Sequence, residues 1–248
     1  MKDVRVLVVN PNTTAAMTQR IAASARAAAA PTTEIEAVTS AMGPASIEGY
    51  YDEAFAVPGL IKAICDGEAA GADGAVIACF DDTGLDAARS AVANPVVGLC
   101  EAAVHLAALL AHRFTIVTTL SRSIAPIETL AVRYGVAGRC TVRAAEVPVL
   151  ALEESHAAAA AKVEGEVARA LAADRAEAIV LGCAGMTDLA AGLARKFGVP
   201  VIDGVAAAVK LVEALASLGL RTSKTGAYAR PLAKSYSGLM APFAPRAG

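Results

Sequence analysis

The chain has 248 residues, is 56% hydrophobic but only 4% aromatic, lacks Trp, and carries a formal net charge of −2. That length and composition provide a core of Ala, Val, Leu and Ile for one large or two small domains, and the charge gives no basic footprint for nucleic acid. No apolar stretch reaches membrane-spanning length, because the Ala-rich windows are interrupted by Arg20, Arg26, Glu153 and Lys162.

The apolar run 4–9 predicts a first strand, closed by Asn10-Pro11-Asn12. It is too short for the apolar core of a secretory leader, so the chain is expected to be cytoplasmic. Five cysteines, an odd number without a tight framework, fit reduced thiols in that compartment. A helix over 15–30 follows, with Asn12 or Thr13 as its N-cap, then a strand over 34–39. Residues 42–53 are Gly-rich, hold Tyr50 and Tyr51, and read as a functional loop. A helix over 54–70 leads into the apolar run ending at Cys79, a short helix, and a strand over 95–97.

The pattern then restarts. A helix is expected over 101–111, a strand over 114–119 that mirrors the first strand, helix over 121–134 and strand over 141–147. A long helix over 153–173 precedes the apolar run ending at Cys183, another helix, a strand over 199–202 and a helix over 205–218. The tail from 222 is polar, with prolines at 231, 242 and 245 and one short helix near 232–237. Strands alternating with helices imply a parallel sheet in each half. The expected architecture is α/β: two pseudosymmetric lobes, each a parallel sheet flanked by helices, facing each other across a cleft. The first lobe comprises 1–98 plus 207–248, the second 99–206.

The repeat is most informative at two cysteines. Gly74-Ala75-Val76-Ile77-Ala78-Cys79-Phe80 and Ala178-Ile179-Val180-Leu181-Gly182-Cys183-Ala184-Gly185 are short buried-strand runs whose cysteines lie 104 residues apart (79 to 183). Each thiol stands at the carboxyl end of a strand, where open α/β sheets bind ligands. A lone cysteine there would read as core filler, but two at matching positions point to paired thiol acid/base chemistry. A thiolate is a usable base and a thiol a usable acid, and expected helix starts near Thr83 and Met186 favour negative charge nearby. Cys65, Cys100 and Cys140 lack matching partners and read as structural. Asp81 and Asp82 would oppose thiolate formation if they pointed inward; the milder reading makes them solvated loop residues or helix caps. Asn10, Thr118 and Thr119 end equivalent strands, where they act either as donors to a substrate carbonyl or as turn and cap residues. His105, His112 and His156 show no metal spacing with Cys, and neither a Cys-X-X-Cys pair nor a phosphate loop occurs.

Taken together, Val9-Asn10-Pro11-Asn12-Thr13, the segment from Gly43 to Glu53, Ala78-Cys79-Phe80-Asp81-Asp82 and Gly182-Cys183-Ala184-Gly185-Met186 resemble the Asp/Glu racemase superfamily, and within it the hydantoin and allantoin racemases. The resemblance implies cofactor-independent, metal-free racemisation by two cysteines on opposite faces of the substrate. Carried over, Cys79 and Cys183 are the acid/base thiols, and Asn10, Ile47, Phe80, Thr118, Thr119, Ala184 and Gly185 are substrate contacts. Phe80-Asp81 and Ala184-Gly185 depart from the Asn-Thr and Thr-His that follow the thiols of amino-acid racemases, which favours a neutral ring over an amino acid. The implied partner is a small 5-monosubstituted hydantoin, with neither nucleic acid nor membrane, in a homo-oligomer. Allantoin racemisation is the near alternative, with Tyr50, Tyr51, Ile47 and Phe80 leaning towards alkyl or aryl substituents. A two-lobed binding protein without catalysis and a Cys79–Cys183 redox switch are the readings from other classes.

Overall fold

The structure is a computed structural model and describes residues 3–245. The first lobe contains β1 (Val4–Asn10), α1 (Ala15–Ala28), β2 (Thr33–Thr39), α2 (Tyr50–Ala69), β3 (Gly74–Ile77), α3 (Leu85–Ala91) and β4 (Val96–Gly98). The repeat continues with α4 (Leu99–Leu110), β5 (Phe114–Thr118), α5 (Ile124–Arg133), β6 (Cys140–Ala144), α6 (Ala151–Glu154), α7 (His156–Ala173), β7 (Ala178–Gly182), α8 (Ala190–Phe197), β8 (Val201–Asp203) and α9 (Gly204–Ser217). Two four-stranded sheets result, with orders β2-β1-β3-β4 and β6-β5-β7-β8, and every pairing is parallel. The same strand order in both sheets is the structural form of the sequence repeat.

Burial on both faces explains the unbroken apolar runs of the central strands, since parallel sheets are covered by helices on either side. Alternate side chains divide between two cores. Val6, Val8 and Val76 enter a large central core with Ile116, Val180, Cys100, Val104, Val205 and Val209, which joins the inner faces of both sheets through α4 and α9. Leu7, Val9 and Ile77 face outward onto Leu60, Ile64 and Leu85 of α2 and α3. Val117, Ile179 and Leu181 do the same in the second lobe against Val163 and Val167 of α7. α1 of the first lobe also reaches across: Arg20 pairs with Asp188 at 3.0 Å, and Ser24 donates to Asp203 at 2.8 Å.

Several element boundaries differ from the sequence expectation. α2 starts at Tyr50 rather than 54, so both tyrosines belong to its first turn. Gly49, in a positive-φ conformation (138°), is its N-cap, and Asp52 reaches back to accept the Glu48 N–H at 3.0 Å. That acidic residue in the first turn is the sequence signal for the earlier start. The N-cap of α1 is Thr14, not Asn12 or Thr13, although the Asn12 side chain accepts the Thr14 N–H at 2.9 Å. The long helix expected over 153–173 is broken at Ser155 (φ −135°, ψ 47°) into α6 and α7. Ser in that non-helical conformation suits a helix start better than a helix interior. No helix forms over 232–237. The tail instead has 3-10 turns at Gly226–Tyr228 and Gly238–Phe243, because Pro231 and the Ser-Tyr-Ser run give weak helix propensity. No helix among the described residues is long and apolar enough to cross a membrane.

Candidate active site

The carboxyl ends of the central strands bring the repeated cysteines to one place. Cys79 follows β3 and Cys183 follows β7, and both line a single cleft. The local chain path is the same in the two lobes. The Cys79 carbonyl accepts the Asp82 N–H at 3.2 Å, and the Cys183 carbonyl accepts the Met186 N–H at 3.1 Å. After that turn the lobes diverge: Cys183 leads directly into a 3-10 helix (Ala184–Leu189), whereas Cys79 is followed by a turn before α3.

Of the substrate contacts expected from the sequence, Ile47, Phe80, Thr118, Thr119 and Ala184 line the cleft with the two cysteines. Asn10 and Gly185 do not. Asn10 is fully buried, and its amide nitrogen donates to Asn12 Oδ1 at 2.9 Å, Thr18 Oγ1 at 3.0 Å and the Thr14 carbonyl at 3.2 Å. It therefore pins the turn that presents Pro11 and Asn12 to the cleft in its place. Thr118 Oγ1 donates to the Gly182 carbonyl at 3.1 Å, tying β5 to the strand end that carries Cys183. Tyr50 and Tyr51 are 65% and 76% exposed and lie outside the lining, so they give no support to an alkyl or aryl preference. Asp81, Ser123 and Val149 line the cleft although the sequence did not single them out as contacts. Val149 lies beyond β6 on an irregular segment with no local motif to mark it.

The segment before α2 wraps the mouth of the cleft. Thr13 N–H and Thr14 Oγ1 donate to the Pro44 and Ala45 carbonyls at 3.0 and 2.7 Å. Glu48 then crosses to the other lobe, its Oε1 accepting the Val149 N–H at 2.8 Å. Ile47 is thereby held against the cleft from the first lobe and Val149 from the second.

The two aspartates after Cys79 have different roles, and neither is a solvated loop residue. Asp82 is buried and left-handed (φ 48°), a strained conformation outside glycine. Its carboxylate accepts N–H groups of Cys100 and Glu101 at 3.0 and 2.9 Å and the Tyr134 hydroxyl at 2.6 Å. It is a helix cap, but for α4, which starts without a loop after β4, rather than for the helix nearest in sequence. Asp81 instead lines the cleft. Burial, and then the neighbouring Glu53 and Asp82 carboxylates, push its pKa up to about 7.

Cys79 is shaped by the same field. Burial first, and then Asp81, raise its pKa well above that of an ordinary thiol. The Thr83 hydroxyl at 3.4 Å and the Asp81 backbone N–H bond the sulfur and act in the opposite direction without prevailing. At neutral pH Cys79 therefore carries its proton. The remaining cysteines lie elsewhere: Cys100 in the central core, Cys65 on the outer core of the first lobe, and Cys140 at the start of β6 with a pKa pushed by burial up to about 12. All five cysteines are thiols. No histidine lines the cleft, and no cluster of three His, Cys, Asp or Glu among the described residues is placed to hold a metal ion.

The chain is similar to known racemases over most of its length. The family model of Asp/Glu/hydantoin racemases matches residues 6–212. A hydantoin racemase from Rhizobium meliloti is 49% identical over 232 residues, covering 93% of this chain and 96% of that one. Among solved structures, an allantoin racemase from Klebsiella pneumoniae superposes with a TM-score of 0.95 at 50% identity, covering 98% of this chain and all of that one. An allantoin racemase from Pseudomonas fluorescens gives 0.89 at 39% identity, over 95% and 100% of the two chains.

Proposed function

The chain belongs to the Asp/Glu/hydantoin racemase family, and from that premise we propose that it racemises 5-monosubstituted hydantoins without a cofactor, with Cys79 and Cys183 as its acid and base. The observation that carries the reading is the opening of both strand-end cysteines into one cleft. In one direction a Cys183 thiolate removes the C5 proton, and the electron pair of the C–H bond moves onto the ring carbonyl as an enolate. The Cys79 thiol then delivers its proton to C5 from the other side, leaving Cys79 as thiolate and Cys183 as thiol. The opposite enantiomer uses the roles in reverse, so protons balance over the cycle and no electrons leave the substrate. The imide-like ring already acidifies C5. Thr119 and the first N–H groups of the turn after Cys183, which have no acceptor within their helix, are candidate donors to the enolate oxygen.

The nature of the 5-substituent has a second reading. Close superposition on allantoin racemases supports a ureido group, which makes the substrate allantoin. The relatives named for hydantoin support the broader class. Homo-oligomerisation belongs to the same proposal and is supported by the tail, where Leu232 and Leu239 are 81% and 91% exposed.

The test is the optical rotation of an L-5-substituted hydantoin, and of one allantoin enantiomer, incubated with purified protein, reducing agent and a chelator. Rotation is expected to decay to zero, and Cys79→Ser or Cys183→Ser to slow that decay by about 10²–10⁴-fold, the range for loss of one positioned acid or base. A double Cys→Ser protein that still racemises would sink the two-thiol mechanism. Binding of either ring without loss of rotation would favour a non-catalytic binding protein.

A further inference from the structure

The duplicated fold sets two equivalent thiols around a ring that has no such symmetry, so some residue must break the equivalence for the ring to lie in a defined orientation. Position by position, Cys79 matches Cys183, Phe80 matches Ala184, Thr83 matches Thr187 and Asp81 matches Gly185. The acidic side chain is present in one lobe only. A Cβ at Gly185 would lie 2.9 Å from Leu152 Cδ1, so any side chain there would require Leu152 to shift. In the first lobe Asp81 lines the cleft, and its backbone N–H holds the Cys79 sulfur. Behind it stands Glu53, whose Oε1 is buried without a hydrogen-bond partner. Among the described residues no Lys, Arg or His pairs with either carboxyl.

We propose that Asp81, backed by Glu53, fixes the identity and orientation of the substrate: its carboxyl accepts an N–H of an uncharged cyclic ureide and turns away molecules that bring a carboxylate of their own. The inference rests on the racemase reading of the same cleft. Asp81 is half-buried at the cleft with no hydrogen-bond donor to its carboxyl among the described residues, which leaves a position for a ring N–H. The same carboxyl makes a second negative charge costly in a cleft whose lining holds no Lys, Arg or His. The pKa of Asp81, pushed up to about 7 by burial and then by Glu53, reflects the same crowding of negative charge. Asp81 is thus a specificity residue, distinct from the two thiols that move the proton.

The experiment compares two hydantoins of similar bulk in the full chain: 5-isobutylhydantoin, which is neutral, and 5-(2-carboxyethyl)hydantoin, which is anionic above its side-chain pKa. Racemisation and C5 deuterium exchange are read at one pH, and the quantity of interest is the ratio of kcat/KM values. The wild-type protein is expected to favour the neutral ring. Asp81→Asn, which keeps an acceptor oxygen but loses the charge, is expected to lower that ratio by about tenfold or more, equivalent to ~1.4 kcal/mol. Asp81→Ala, which loses the acceptor as well, is expected to raise KM for the neutral ring more than kcat falls, with Asn restoring part of the difference. An unchanged ratio in a folded Asp81→Asn protein overturns the inference while leaving the racemase reading intact. If that variant does not fold, Glu53→Gln takes its place, with a smaller fall in the ratio expected and an unchanged ratio again decisive against it. Absence of C5 exchange on either ring by the wild-type protein overturns the racemase reading and the inference with it.

Discussion

Burial and the Asp81 carboxylate hold the Cys79 proton in place, and both effects can be read chemically. Iodoacetamide reacts with thiolate, so in a Cys183→Ser background the alkylation of Cys79 is expected to be slow at pH 7 and to rise well into the alkaline range. Adding Asp81→Asn removes the second-largest cause of the raised pKa, so alkylation at a fixed pH should become faster. Equal rates in the two proteins would mean that Asp81 does not act on the sulfur. Asp81 also ties stability to pH. Its pKa is about 7 in the folded chain against 3.8 for an ordinary aspartate. Between these values the folded chain holds a proton that the unfolded chain has lost, so stability falls as pH rises through that window. Asp81→Asn should therefore melt higher than wild type at pH 8, with the advantage fading as pH drops towards 4. A constant offset across that range would contradict the assignment. For a chain of this size each kcal/mol recovered corresponds to about 2–4 °C in Tm.

At the scale of elements, the join between β4 and α4 depends on a close approach. Gly98 precedes the first turn of α4, and a Cβ there would fall 2.1 Å from Asp82 Oδ1, the oxygen that accepts the Cys100 N–H. Gly98→Ala should displace the Asp82 cap and lower stability by about 1–3 kcal/mol, the cost of leaving buried polar groups unpaired. Thermal melting measures it directly, and a melt unchanged from wild type would mean that the cap tolerates the methyl group. The segment before α2 has a comparable dependence on one side chain. Glu48→Ala removes the acceptor of the Val149 N–H across the cleft. It should raise KM more than it lowers kcat, because it loosens the wall of the site without touching either thiol. Steady-state kinetics on a neutral hydantoin checks the split, and a fall in kcat alone would argue against it.

Across the whole molecule, the lobes are not independent bodies that happen to face each other. The inner faces of both sheets share one apolar core through α4 and α9, and α1 is bonded to the second lobe through Arg20 and Ser24. The cleft therefore opens between two sheets anchored at their shared core. Its two thiols stand just past the carboxyl ends of β3 and β7. Assembly is expected at the same scale: light scattering coupled to size exclusion should give a mass that is a multiple of one chain. A monomer at micromolar concentration would leave the exposed apolar tail without its proposed role.

The sequence by itself determined the duplication, the α/β alternation, and the place of Cys79 and Cys183 at strand ends, because buried parallel strands write their burial into unbroken apolar runs and the repeat aligns those runs. The resemblance also supplied Ile47, Phe80 and Ala184 as cleft residues, and Thr118 and Thr119 were marked besides by their place at a strand end. Only the tertiary structure decided what depends on contacts between distant segments. Asn10 turned inward because Asn12, Thr14 and Thr18 take up its amide nitrogen. Tyr50 and Tyr51 moved out of the cleft because Gly49 and Asp52 start α2 earlier than the apolar pattern indicated. Asp81 and Asp82, adjacent and chemically identical, acquired opposite tasks because one faces the cleft while the other meets the N-terminus of α4 and a tyrosine 52 residues away. Periodicity records which face of an element is buried, but the partner of a buried polar group is chosen by the packing of elements far apart in the chain.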